Sequence, residues 1–355
     1  MSSQLSRTGE WFLRSGIQQP DGGVARYYLV DACRNLPAST EITGYAASAF
    51  VYLHSVTHDA RYMERATAAA RYLTRAWDGA VGAMPFETEP AAFTYFFDCG
   101  IIVRGLLAVW RATGEQEFLD TAVATGLGMA RDFGGEAGEF HPILALPGKA
   151  PLSRDPLRWS RTATCYQLKS AMAWWDLYEA TGDAQFVEPY ERVLAAALRT
   201  YAEFLPGHPE RPKVMDRLHA FSYFLEGLLP RAAEAHCADA LRDGMARAAC
   251  HLRSIAPEFA RSDVYAQLLR ARLYADWLGA VPLDVPAAAF EAAQLAAFQA
   301  TDADTRIDGG YWFGRKPAGM LPFINPVSAA FASQALQLWE TYRAGGAQAH
   351  RHLLI

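Results

Sequence analysis

Carboxylates and one imidazole carry most of the chemistry open to this chain, and they sit where long apolar stretches begin. Asp98 stands in Tyr95-Phe-Phe-Asp-Cys-Gly100, at the head of such a stretch. A carboxyl walled by Phe93, Tyr95, Phe96 and Phe97 is shielded from water, which raises its pKa toward that of a general acid or base. Asp is also a favoured helix cap, so the position serves a structural reading too. Glu41 opens another stretch, with Tyr45, Ser48 and Tyr52 following at helical spacing. Polar groups on a helix buried on most faces need partners or water, and a polar cavity on the fold axis would supply it. The alternative for Glu41 is a first-turn residue behind a Ser39 or Thr40 cap.

His219, Tyr223 and Glu226 lie at i, i+4 and i+7 and share one helical face. The three suit sugar hydroxyls or proton transfer, or else form a satisfied buried network. Tyr311 and Trp312 belong to Asp308-Gly-Gly-Tyr-Trp-Phe-Gly-Arg-Lys-Pro317, while Trp159 and Arg161 precede a further apolar stretch. Aromatic faces stack on sugar rings and Arg forks onto carboxylates; rim packing is the competing use. Asp263, Tyr265 and Asn325 begin two more stretches, where they either bind substrate or cap. Neither a CxxC nor a Cys/His ligand spacing occurs, so no metal and no cofactor is expected.

The elements that must position these residues are written as a repeat. Thr57-His-Asp-Ala-Arg-Tyr62, Thr113-Gly-Glu-Gln-Glu-Phe118 and Thr181-Gly-Asp-Ala-Gln-Phe186 each join an apolar stretch to an amphipathic one. Gly114 and Gly182 suit the left-handed residue that ends a helix, and the acidic residue after them favours the start of the next. Used as a ruler, the phrase divides the chain into twelve helices. Apolar ones fall near 41–57, 95–113, 164–181, 218–230, 263–279 and 326–343. Amphipathic ones fall near 3–15, 60–77, 116–132, 184–204, 237–253 and 285–300. Six of each in alternation describe an all-α (α/α)6 toroid, one domain over 1–355, with helix 3–15 closing the ring against 326–343. The long connections 78–94, 133–163, 205–217 and 301–325 all lead into apolar helices, so the site is expected on that rim.

Composition excludes several classes. With 355 residues, 51% hydrophobic and 20% charged, the chain can bury a large core. A net charge of −5 without a basic run argues against a nucleic-acid partner, and no stretch reaches membrane-spanning length. The first residues lack a signal peptide's apolar core, and five dispersed cysteines read as reduced thiols of a cytoplasmic protein.

The layout resembles the six-hairpin glycosidase-like superfamily, which includes unsaturated glucuronyl hydrolases, rhamnogalacturonyl hydrolases and N-acylglucosamine 2-epimerases. Within it the chain looks most like a widespread bacterial group often encoded near polysaccharide genes. The resemblance rests on Thr40-Glu-Ile-Thr-Gly-Tyr45, Phe97-Asp-Cys-Gly-Ile-Ile-Val-Arg-Gly-Leu-Leu107, Leu218-His-Ala-Phe-Ser-Tyr-Phe-Leu-Glu-Gly-Leu-Leu229 and Asn325-Pro-Val-Ser-Ala-Ala-Phe331. It implies a carbohydrate-active enzyme, with Asp98 placed like the acid/base Asp of the glucuronyl hydrolases. The epimerases' Glu-Pro-Gly-His signature is absent.

The expected function is hydrolysis of an acidic or uronate-containing saccharide by carboxylate acid/base catalysis, with Asp98, Glu41, Glu226 and His219 as its groups. Uronate elimination, epimerisation and non-catalytic glycan binding are alternatives. So is a terpenoid cyclase or prenyltransferase, suggested by Gln18-Gln-Pro-Asp-Gly-Gly23 and Asp302-Ala-Asp-Thr305.

Overall fold

The structure, a computed structural model, describes residues 3–135, 139–347 and 350–355. Among them the α-helices run in chain order: α1 Ser3–Arg14, α2 Thr40–Thr57, α3 Ala60–Ala76, α4 Phe96–Thr113, α5 Gln116–Asp132, α6 Leu168–Thr181, α7 Val187–Phe204, α8 Arg211–Gly227, α9 Ala235–Ile255, α10 Ser262–Trp277, α11 Val285–Ala296 and α12 Pro326–Arg343. Every expected helix is present. The main displacement is α8, which starts seven residues early because Pro212 in its first turn is pre-set for a helix start. Strands are two or three residues long and lie in the connections.

The chain divides into two compact units, one of Gln19–Val24 with Ala38–Tyr201, the other of Met1–Gln18, Ala25–Pro37 and Ala202–Ile355. In the first unit the repeated phrase closes three hairpins by one mechanism. The hydroxyls of Thr57, Thr113 and Thr181 donate to the carbonyls of Leu53, Val109 and Leu177 and accept the amides of Asp59, Glu115 and Asp183. His58, Gly114 and Gly182 take left-handed backbone at φ 58°, 73° and 72°. Asp59 and Asp183 cap the next helical segment, whereas Glu115 reaches Arg71 at 3.1 Å instead. Tyr62, Phe118 and Phe186 are buried behind the corners.

Glycine sets the spacing of the apolar helices. A side chain on Gly105 would meet the Gly44 carbonyl at 2.5 Å, and one on Gly100 would meet the Ser170 backbone at 2.5 Å. The backbones of α2, α4 and α6 therefore approach closely, and their N-terminal ends come together.

In the second unit α10 is buried from Ser262 to Ala275, and α12 likewise along most of its length. Helices hydrophobic on every face belong inside, while the amphipathic α9 is half-exposed. α1 packs on α12 and is tied to the 300–310 connection by Arg7 to Asp308 at 2.8 Å and by the Trp11 indole N–H to the Arg306 carbonyl at 2.9 Å. No described helix is long and apolar enough to cross a membrane. All five cysteines are free thiols, three of them buried.

Candidate active site

The sequence delivers Asp98 and Glu41 to neighbouring helix mouths by backbone pairing. Phe93–Tyr95 forms an antiparallel pair with Ile143–Ala145 and runs straight into α4. The Thr40 amide donates to the Phe86 carbonyl at 3.0 Å and its hydroxyl to the Pro85 carbonyl at 2.7 Å, pinning the start of α2 to the same connection. Phe86 N–H donates in turn to the Phe93 carbonyl at 2.9 Å. With Gly44 against Gly105 below, the mouths of α2 and α4 are held side by side.

Neither carboxyl is used as a cap. Ser39 caps α2 by accepting the Ile42 amide, and Glu41 sits one residue short of the position that completes a capping box. Asp98 is the third residue of α4, whose cap residue Tyr95 makes no side-chain bond. The Asp98 side chain is 6% exposed and its Oδ2 is buried without a hydrogen-bond partner. Burial, reinforced by the neighbouring Glu41 charge, pushes its pKa well above the ordinary carboxylate range. Glu41 is half-buried, and desolvation raises it to about 7. Burial thus favours the protonated form of both carboxyls, and the charge of one disfavours ionisation of the other.

Around this pair stand Tyr95 and Tyr166, both kept protonated by burial and then by the Asp98 charge. Phe96 turns away to the core beside Phe133, Phe140 and Trp174, and Phe93 is 39% exposed, so those two do not wall the carboxyl as expected. Tyr166 replaces them; it belongs to the 3-10 turn Cys165–Gln167 and packs edge-on against Trp159 at 5.1 Å. Trp159 and Arg161 share another 3-10 turn. Arg161 is held by the Ser153 carbonyl at 2.8 Å, its charge reaches Tyr95, and its Nε is buried without an acceptor. Tyr45 is buried lower in α2.

The second unit carries a different cluster. His219 Nδ1 lies 2.9 Å from Gln267 Oε1 and 3.2 Å from Asp263 Oδ2. Both are acceptors, and the Gln267 amide nitrogen faces the His219 carbonyl, so the proton sits on Nδ1 and Nε2 carries the lone pair. Burial lowers the imidazole to about 4, outweighing the nearby Asp263 charge. Burial alone would raise Asp263, but Arg261 and His219 overcome it and hold the carboxylate ionised. Arg261 forks onto Asp263 at 3.0 and 2.5 Å, reaches Asp216 at 3.0 Å and lies over the Phe313 ring at 4.4 Å. Tyr223 packs edge-on to His219 at 4.5 Å.

Several expected site residues are committed elsewhere. Glu226 has no exposure and pairs with Arg270 at 2.5 Å, so it is a core ion pair rather than a catalytic group. Tyr265 is buried and packs against the rings of Phe290 and Phe298. Tyr311 is buried beside Thr8 and Arg7 of α1. Asn325 caps α12 by accepting the Val327 and Ser328 amides at 2.8 and 3.1 Å. Trp312 stays half-buried, its backbone bonded to Phe298 and Ser262. In the Asp302–Asp304 segment, Asp304 is locked to Arg306 at 2.6 Å and Asp302 accepts the Asp304 amide, so the acids close a turn. Tyr166, Arg261 and Gln267 escaped the sequence reading. Only Arg261, two residues before Asp263, left a local signal there.

No family model matches the chain, and no curated protein matches it in sequence. Among solved structures it is similar to cellobiose 2-epimerase from Spirochaeta thermophila, with TM-score 0.73, 15% identity and 96% of each chain covered. It is similar to a D-mannose isomerase at TM-score 0.70 and 9% identity, covering 96% of this chain and 97% of that one. A family 76 glycoside hydrolase from a bovine Bacteroides thetaiotaomicron strain matches at TM-score 0.66 and 12% identity, covering 96% and 78%. The shared feature is the fold, an (α/α)6 toroid of helical hairpins.

Proposed function

We propose that this six-hairpin chain is a carbohydrate-active enzyme that hydrolyses a glycosidic bond in an acidic saccharide, using Asp98 and Glu41. One observation carries the reading: two carboxyls stand at adjacent helix mouths with no cationic or hydrogen-bonding partner among the described residues, and Asp98 is buried more deeply than Glu41. Such a pair has its roles divided in advance. Asp98, held toward its protonated form by burial, gives its proton to the glycosidic oxygen as the bond to the anomeric carbon breaks. Glu41, ionised above about 7, either takes a proton from the attacking water or attacks the anomeric carbon itself. One water is consumed per bond broken. Trp159 and Tyr95 offer ring faces to the sugar, and the unpaired Arg161 Nε–H offers a donor to a uronate carboxylate.

Unsaturated and saturated uronyl oligosaccharides should be incubated with the protein and followed by mass. Hydrolysis adds about 18 mass units per bond cleaved, whereas elimination splits the chain without that gain. Asp98→Asn should lower turnover at least about 100-fold while the protein stays folded. Full turnover by that variant removes Asp98 from the chemistry.

A second reading has its own observation, the His219 lone pair on Nε2 held in place by Gln267 and Asp263. A neutral imidazole fits removal of a proton beside a sugar carbonyl, as epimerisation or isomerisation requires, and the structurally similar cellobiose 2-epimerase and D-mannose isomerase are enzymes of that kind. Unchanged substrate mass with altered retention, lost in His219→Gln, would select it.

A further inference from the structure

A cavity of about 440 Å³ lies in the second unit between α9 and the connection from α10 to α11. None of its residues belongs to the two clusters above. Arg242, Ala246, Ala249 and Arg253 lie at i, i+4, i+7 and i+11, one stripe along α9. At 1.5 Å per residue the two arginines start about 16 Å apart, with small side chains between them. The hollow is thus a gap in the side-chain layer, floored by Met245 and Val281.

Arg272 enters from α10. It is 8% exposed, and its Nε donates to both carboxylate oxygens of Glu291 at 3.0 Å. Its Nη atoms have no acceptor among the described residues, and Arg272 is one of the residues that line the cavity. Arg253 has no hydrogen bond or ion pair among the described residues, and Arg242 is paired only with exposed Asp239. The lining itself holds one carboxylate, Asp284, which caps α11 through the Ala287 amide at 3.1 Å, while Glu291 behind it pairs with Arg272 and lies within reach of the Arg253 charge.

We infer that this cavity binds the phosphate group of a small organic phosphate. A lining richer in guanidiniums than in carboxylates favours an anion, and a phosphate, with three terminal oxygens and nearly two charges, accepts more of these donors than a carboxylate does. The volume lies within the range of small-molecule sites, and the Ala246, Met245 and Val281 surface suits the ester's carbon body. The inference does not rest on the proposed hydrolysis.

Isothermal titration of the full chain with glucose 6-phosphate, inorganic phosphate and glucose tests it. The expected result is saturable binding of glucose 6-phosphate and no heat with glucose. Comparable binding of inorganic phosphate would identify free phosphate as the occupant of the same site. Arg253→Gln and Ala246→Trp change exposed side chains, so both should fold. The first removes a charge and the second fills the hollow, and each should weaken binding at least about tenfold. Arg343→Gln on α12 should leave it unchanged. Lack of saturation with either phosphate up to about 10 mM, or equal affinity in all variants, would overturn the inference.

Discussion

Replacing Glu41 with Gln should abolish turnover while making the protein more stable above neutrality. In the native state burial holds the Glu41 pKa at about 7 against an ordinary 4.5. The folded protein therefore keeps a proton that the unfolded chain has already released, and stability falls as pH rises between these values. Below about 4.5 both states are protonated and the penalty vanishes; above about 7 it is fully present. At 1.36 kcal/mol per pKa unit the ceiling is about 3 kcal/mol, and partial exposure of the side chain reduces this to about 2 kcal/mol. Gln mimics the protonated acid and escapes the penalty. Urea unfolding from pH 4 to pH 9 should show coincident curves at the acid end. At pH 8 the variant's midpoint should be higher by roughly 0.7 M for an m of about 3 kcal/mol/M. Asp98 should also release its proton at lower pH once the neighbouring charge is gone. A variant less stable than the parent at pH 8 would show that Glu41 is a satisfied structural carboxylate, and the acid/base assignment would fall with it.

Three further outcomes follow from the packing and the ionic contacts. Gly105→Ala drives a methyl into the Gly44 carbonyl and should cost about 1–3 kcal/mol, with turnover falling further than stability because the helix mouths part; calorimetry beside initial rates separates the two. Glu226→Gln strands the Arg270 charge in the core and should cost about 3–5 kcal/mol, read as a large drop in Tm, with the residual activity of folded protein intact. His219 is buried with its pKa at about 4, so its unfolded state binds more protons between there and 6.5, and stability should rise with pH across that window. His219→Gln should flatten that rise, which denaturation at several pH values will show.

The corners of the hairpins were legible because they are local. Thr, Gly and Asp at Thr181-Gly182-Asp183 each answer a need of two adjoining residues, and the structure uses them so. The twelve helices followed from the same ruler. The position of α8 escaped it because apolar patterning marks Leu218 onward, whereas Pro212 in the first turn starts the helix nearly two turns earlier.

The candidate site was legible only in part. Asp98, Glu41 and His219 could be marked by type and position. Glu226 looked equally suitable, since its spacing from His219 is helical, but nothing local shows that Arg270, 44 residues away, closes over it. Asn325 and Tyr311 were indistinguishable from binding residues until the structure gave one the role of a cap and set the other against α1. Sequence by itself determined the helices and their corners, because backbone conformation and helical periodicity are short-range properties. Tertiary structure alone decided which carboxyls are left without partners. A proton affinity is set by what stands around a group in space, and those neighbours come from distant parts of the chain.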